Sequence, residues 1–403
     1  MADFRPISQD RAAEVKEILQ YGFMPERGPE PDAYSLSLPA DLFDLYGLFD
    51  GDDLVSVCKL YDLETTIRSE PVTVGGLGAV ATAPERRRQG HVRELLENAL
   101  GVYRERDVSI VTLWPSGTGF YRNLGWGIAN TFTKYELPPE KLAFARGSEG
   151  AFRRLSADGW ERLRAVETTH AAETTLALRR SEAWWRQRTL ADWAGKGTPY
   201  LYGYERDGGL QGYLVYTIDR ERGTGAHDAS RRLQVQTLAY ADDEAYRAIL
   251  DFLADQDSQV DIVELLVPEE SDLLYRIHES DGVEASLENG SMVRLTDVPG
   301  ALESFPWPDS LTTSFTLRVT DPLVSHNDGT FAVDVDGNTA TVTSVDADDA
   351  SVTTDIATLS QLYVGTFDIE EAERLGTCEI DESVRGELWT AFTPEDVCLR
   401  EFF

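Results

Sequence analysis

Three consecutive arginines followed by glutamine and glycine, Arg86-Arg87-Arg88-Gln89-Gly90, stand out in a chain whose net charge is -34. They follow a stretch that runs from Val74 through Gly75, Gly76 and Gly78 to Ala83-Pro84. Beyond them Val92, Leu95, Leu96 and Ala99 share one helical face. Pro84 can neither donate to a sheet ladder nor continue a strand, so the strand is expected to end just before it. Free amides at a helix start, the helix macrodipole and flanking guanidinium groups together make a seat for an anionic phosphate. The local reading is strand, loop, pyrophosphate-binding turn, helix. Two common phosphate loops do not fit. A P-loop needs Gly-x4-Gly-Lys-Ser/Thr, and no lysine lies near Gly90. A dinucleotide fingerprint needs Gly-x-Gly-x-x-Gly opening the helix, whereas Gly75, Gly76 and Gly78 precede Pro84. Taken alone, the stretch leaves open an arginine-studded helix cap without a ligand.

What remains resembles the acetyl-CoA motif of the GNAT acetyltransferases, strand–Pro–x–x–Arg–x–x–Gly–x–Gly/Ala. It is met here by Arg87 and Gly90, with Val92 departing from the usual small residue. A second block, Phe120-Tyr121-Arg122-Asn123-Leu124-Gly125-Trp126, resembles the Phe-Tyr-x-x-x-Gly-Phe/Trp segment that ends the same core. In that family a tyrosine hydroxyl lies near the thioester sulfur and can protonate the departing CoA thiolate. Tyr121 takes its place. A phenol suits that task because its pKa of about 10 keeps it protonated at neutral pH. The plainer alternative is a tyrosine whose ring packs and whose hydroxyl is merely solvated.

Composition narrows the class. The chain has 403 residues, enough for two or three domains and an ample core. Of its 37 basic residues five are lysine, and such an acidic, lysine-poor balance reads as adaptation to molar salt. Unneutralised carboxylates repel phosphates, which argues against a nucleic-acid partner. Cys58, Cys378 and Cys398 form no Cys-x-x-Cys pair, and the five histidines show no metal-ligand spacing, so no metal is expected. No apolar run approaches the length of a membrane span, and MADFRPISQD lacks a signal-peptide pattern. The expectation is a cytoplasmic protein without a membrane partner.

The elements that must hold these residues follow an α/β pattern. Asp10 to Tyr21 reads as a helix, and Gly22 to Pro39 as a loop or lid over a cleft. Leu45–Asp50, Leu54–Leu60 and Thr66–Ser69 read as strands, with Asp50-Gly51 a hairpin turn. Val108–Trp114 is a further strand. A first domain is expected over residues 1–145. A second, over 146–300, repeats strand, helix and strand at Leu233–Tyr240, Asp243–Gln256 and Val260–Val267, but lacks Arg-x-x-Gly before its helix. Its tryptophans Trp184, Trp185 and Trp193, near helical spacing, read as core in preference to a stacking wall for substrate. Over residues 301–403 four Val/Thr-rich alternating strands precede three helices.

Several segments resemble the enhanced-intracellular-survival (Eis) family of acetyltransferases. They are Trp184-Trp185, Gly212-Tyr-Leu-Val-Tyr216, Val319-Thr-Asp-Pro, Asn327, Leu359-Ser-x-Leu-Tyr-x-Gly365, Leu375-Gly376 and Leu388-Trp-x-x-Phe392. The resemblance implies an α/β (α+β) fold of tandem GNAT-like domains followed by a sterol-carrier-protein-like domain, with no cofactor site in the second. It implies acetyl-CoA contacts through the strand amides of Val80, Ala81 and Thr82, and around the pyrophosphate through Arg87, Arg88, Gln89, Gly90, His91, Val92 and Arg93. Ser116 and Gly117 complete that set. Tyr121 would be the acid, and the carboxylate of Phe403, threaded back into the cleft, the base. An α-carboxylate has a pKa of about 3.5 and is a weak base unless burial raises it or a water intervenes. The implied reaction is direct acetyl transfer, in a ternary complex, to a primary amine of a polycationic small molecule or a lysine side chain. A homohexamer is implied as well. The reading from another class is a CoA- or lipid-binding regulatory protein without turnover.

Overall fold

The computed structural model describes residues 2–28, 41–192, 197–220, 230–347 and 349–403. Contacts divide it into two compact units. The first joins Met1–Asn130 with Glu173–Leu178 and Gly290–Phe403; the second joins Thr131–Ala172 with Arg179–Asn289. The changes of sequence texture near residues 145 and 300 are therefore not the edges of compactness. The strand Thr131–Leu137 lies in the second unit's sheet, and Met292–Leu295 lies in the first unit's sheet.

In the first unit β1 (Asp3–Pro6), β2 (Asp44–Asp50), β3 (Asp53–Ile67), β4 (Glu70–Thr82) and β5 (Ile110–Leu113) lie side by side in chain order. The returning strand Met292–Leu295 then pairs antiparallel with β5 and with β6 (Gly127–Ile128), which completes seven strands. Thr66–Ser69, expected as a separate strand, is the end of β3 and a turn. Tyr61 to Thr65 alternates well enough to carry β3 through, and Arg68 and Ser69 turn the chain with φ of 50° and 67°. Before β2, helix α1 (Ala12–Phe23) buries Val15, Ile18 and Leu19. The part of the expected lid from 29 to 39 lies outside the described residues.

Between β4 and β5 runs α2 (His91–Glu105), a crossover that makes the two strands parallel. Leu95, Leu96, Ala99, Leu100 and Tyr103 form its buried face, as the apolar spacing predicts. The Tyr103 hydroxyl donates to the carbonyl of Gly76 at 2.7 Å and lies 3.0 Å from that of Tyr61. The helix is thereby fixed over the last residue at which β4 still pairs with β5.

Also in the first unit is a five-stranded sheet in the order Thr339–Val345, Gly329–Asp336, Thr312–Thr320, Val352–Asp355, Cys378–Ile380. Helices Ile356–Val364, Ile369–Arg374 and Arg385–Ala391 accompany it. The buried rings of Phe305, Trp307, Phe315, Tyr363 and Phe392 pack on one another, with centroids 4.9 to 6.4 Å apart.

This sheet is joined to the first by a buried ion pair. Arg294, from the returning strand, meets both carboxylate oxygens of Asp321 at 2.6 and 2.5 Å, and neither side chain is exposed. Asp321 also accepts the amides of Leu323 and Val324, whose side chains enter the core beside Leu95 and Leu96.

The second unit has its own seven-stranded sheet. Arg231–Tyr240 and Ile262–Pro268 are parallel across helix Asp243–Ala254. Trp184 and Trp185 are buried in it and belong to the core, while Trp193 lies outside the described residues. Around the first two tryptophans the chain makes one helical turn, Glu182–Trp184, continued by a π-helical turn at Trp185–Thr189.

Because Asp321 balances a guanidinium that has no water to fall back on, Asp321→Ala leaves a buried, uncompensated charge. Urea unfolding is expected to show a loss of about 3–5 kcal/mol.

Candidate active site

β4 and β5 pair only at Gly75–Val111 and Gly76–Thr112 and then part. Just beyond, β4 bulges against β3: Lys59 faces Gly78, Val57 faces Ala81, and Ala79 takes a φ of 52°. A wedge thus opens at the carboxyl ends of two parallel strands, where α/β sheets bind ligands. Ala81 and Thr82 point their side chains into the interior, and the Thr82 hydroxyl lies 2.8 Å from that of Ser56. What residues 80–82 can offer a ligand is backbone.

The arginine run divides. Arg86 turns to Asp50 and Asp53, at 3.3 and 3.1 Å. Arg87 stacks over the Tyr21 ring, 4.8 Å from its centroid. Arg88 and Gly90 adopt left-handed φ of 59° and 89°, and α2 starts at His91 without a side-chain cap. Its first-turn amides are thus not taken up by a capping side chain. Both ring nitrogens of His91 are shielded from solvent and lack a partner. The Gln89 side chain donates to the Glu85 carbonyl, and Val92 packs on the core. Arg93 donates to the Pro322 carbonyl, so its guanidinium is engaged away from the turn. A cationic loop, uncapped amides and an unpartnered imidazole fit a pyrophosphate.

The matching turn of the second unit is built otherwise. Asp242 caps the helix by accepting the Ala245 amide at 2.9 Å, and Asp243 and Glu244 fill its first turn. Carboxylates already occupy the positive end of that dipole and would repel a phosphate.

At the end of β5, Gly117 precedes the short helix α3 (Thr118–Arg122), which carries Tyr121. Tyr121 is buried, edge-on to Phe120 and Trp126. Burial pushes its phenol up to about 12, opposed by a hydrogen bond with Ser116 and slightly reinforced by Cys58. The shift amounts to about 3 kcal/mol in favour of the neutral, proton-bearing form.

Phe403 lies against β4 and β3. It is 7% exposed, and its ring sits 5.2 Å from that of Tyr61. A Cβ on Gly78 would come within 3.0 Å of the Phe403 carbonyl oxygen, and one on Gly76 within 3.0 Å of its ring. Trp114 donates from Nε1 to the Glu401 carbonyl at 2.5 Å, and its ring lies tilted against that of Phe402, 5.8 Å between centroids. Upstream, Asp396 and Val397 pair with Thr174 and Thr175, and Leu176 donates to the Thr66 carbonyl. Arg68, in the β3–β4 turn, reaches the Thr393 hydroxyl and carbonyl at 3.0 and 2.9 Å and the Leu362 carbonyl at 3.0 Å.

Sequence reasoning missed Arg68, Trp114 and the two glycines as the seat of the tail. Glycines inside a strand signal close backbone approach, so Gly76 and Gly78 were legible on that ground. Nothing about Arg68 or Trp114 announces a partner so distant in sequence. Among the described residues no group of three or more His, Cys, Asp or Glu could hold a metal ion, and no helix is long and apolar enough to cross a membrane.

A wedge between parallel strands, a phosphate-ready helix start and a buried tyrosine define an acyl-CoA-type transferase core. Comparison with known proteins agrees. Family models described as an acetyltransferase (GNAT) domain match residues 3–129 and 176–295, and one for a sterol carrier protein domain matches 298–400. The chain is a GNAT acyltransferase with tandem GNAT domains and a C-terminal sterol carrier protein domain. An uncharacterized N-acetyltransferase of Streptomyces griseus is 24% identical over 96% of this chain and 95% of its own length. The fold resembles that of a GCN5-related N-acetyltransferase from Anabaena variabilis (21% identity, TM-score 0.83). It also resembles Eis1 from Mycobacterium abscessus (23% identity, TM-score 0.73); both likenesses span 100% of each chain.

The tail's seat depends on the missing Cβ at residue 78. Gly78→Val is expected to unseat Phe403, so that carboxypeptidase releases it faster than from the unsubstituted protein while the melting temperature stays within a few degrees.

Proposed function

We propose that the protein transfers an acetyl group from acetyl-CoA directly to a primary amine of a polycationic small molecule or a lysine side chain. The observation that carries this reading is the packing of Phe403 against Gly78, two residues past the point where β4 leaves β5. Acetyl-CoA would supply the activated thioester, with its pyrophosphate at Arg87–His91 and Ser116 and Gly117 beside its arm. The backbone of Val80 to Thr82 would hydrogen-bond the arm and polarise the thioester carbonyl. The Phe403 carboxylate accepts the proton that the amine loses, directly or through a water. Tyr121, kept neutral by burial, gives its proton to the leaving sulfur. Cys58 is buried and its thiol is raised far above its ordinary value, so it supports no acyl-enzyme route.

A lipid-carrying role for the C-terminal domain draws no support from its interior, where the five packed rings lie. A CoA-binding regulator without turnover would bind acetyl-CoA yet release no thiol with any amine.

The test is acetyl-CoA-dependent thiol release with polyamines, aminoglycosides and lysine peptides in molar KCl. Tyr121→Phe is expected to lower kcat on the order of 10²-fold or more. Extension by a few residues beyond Phe403 is expected to abolish turnover while acetyl-CoA still protects the protein thermally. Full activity of the extended form removes the carboxylate base and leaves the transferase. Because the raised phenol keeps its proton until about pH 12, kcat is expected to show no alkaline loss from Tyr121 at or below about pH 10.

A further inference from the structure

The strongest feature that this mechanism does not use is the buried guanidinium of Arg294. Its Nη2 is committed to Asp321, and its Nη1 donates at 2.6 Å to the Leu124 carbonyl. Leu124 belongs to the turn that ends α3, a helix of five residues that cannot hold its own shape. In that turn the amides of Leu124 and Trp126 both donate to the Tyr121 carbonyl, at 2.9 and 3.1 Å. The Trp126 ring meets the Tyr121 ring edge-on. Gly125 follows with a φ of 82°, and a Cβ there would fall 2.0 Å from Nη1. The glycine of the Phe-Tyr-x-x-x-Gly-Trp segment is therefore the slot through which the guanidinium reaches the turn.

We propose that Arg294 is a positioning residue for Tyr121, held in place by Asp321, so that the C-terminal domain sets where the acid's hydroxyl lies. Burial draws the guanidinium below its ordinary value, and the adjacent carboxylate opposes that shift; an arginine stays charged throughout. The fork geometry matters because two different acceptors, a carboxylate and a carbonyl, must be met by one rigid group. Asp321 is fixed in turn by the Leu323 and Val324 amides and by the Asn327 side chain at 3.2 Å. The chain of contacts is short, and every member is buried.

The inference rests on the reading of Tyr121 as the acid, and the experiment separates the two. Arg294→Met with Asp321→Asn removes both buried charges together while residue 321 keeps an oxygen for the loop amides. Folding is expected to survive, as shown by melting temperature and acetyl-CoA protection. A displacement near 1 Å at the acid is expected to lower kcat on the order of 10²-fold with KM for acetyl-CoA unchanged. The same pair of substitutions in a Tyr121→Phe background is expected to cost nothing further, because the group being positioned is gone. Arg294→Lys, which keeps the charge but lacks the fork, is the second variant, with the same expected split between kcat and KM. Unchanged kcat in the folded variants, or an equal loss in the Tyr121→Phe background, overturns the positioning role. Native kcat in Tyr121→Phe alone instead removes Tyr121 as the acid.

Discussion

The structure depends on one constraint: β4 and β5 are parallel and adjacent, yet hydrogen-bond at two residue pairs only. A parallel pair that closed along its length would leave no room for a ligand. A pair that never met would leave α2 without a fixed origin. Tyr103 resolves this by tying the helix to the last paired residue, Gly76. From that point the uncapped turn before α2, the backbone of residues 80–82 and the tyrosine-bearing helix α3 diverge.

Charge is then used sparingly inside an acidic molecule. The exposed ion pairs contribute little individually. Among the described residues few are buried, and one of them, Arg180–Glu167, lies in the second unit. Arg68 gathers carbonyls and the Thr393 hydroxyl where the tail begins its return, and Arg294 joins the two sheets of the first unit. Both are arginines, whose planar, permanently charged fork can satisfy several acceptors without water. The sterol carrier protein domain packs aromatic rings in its interior, and its edges supply Asp321, Pro322 and the tail.

How much of this was legible in the sequence follows from the range of the interactions. Local signals were read well. Pro84 ended β4, the apolar period of residues 92–99 gave α2, and Asp50-Gly51 gave a turn. The acidic first turn of the second unit's helix, Asp243 and Glu244 behind the Asp242 cap, is likewise a local feature of the chain. What could not be read were contacts between residues far apart in sequence. The strand exchange at Thr131–Leu137 and Met292–Leu295 has no local signature, since both segments look like ordinary strands in either sheet. Arg294 and Asp321 are a lone arginine and a lone aspartate until the fold brings them to 2.5 Å. The turn at Arg68 was misread as strand because two non-glycine residues take left-handed conformations there.

The seat around Gly76 and Gly78 is made early in the chain, and the residue that fills it is number 403. Such a contact closes a loop of more than three hundred residues and carries a correspondingly large entropic cost. The two glycines that leave room for Phe403 lie in β4, and the ring it meets, Tyr61, lies in β3, so order at residue 403 and order in the first sheet stand or fall together.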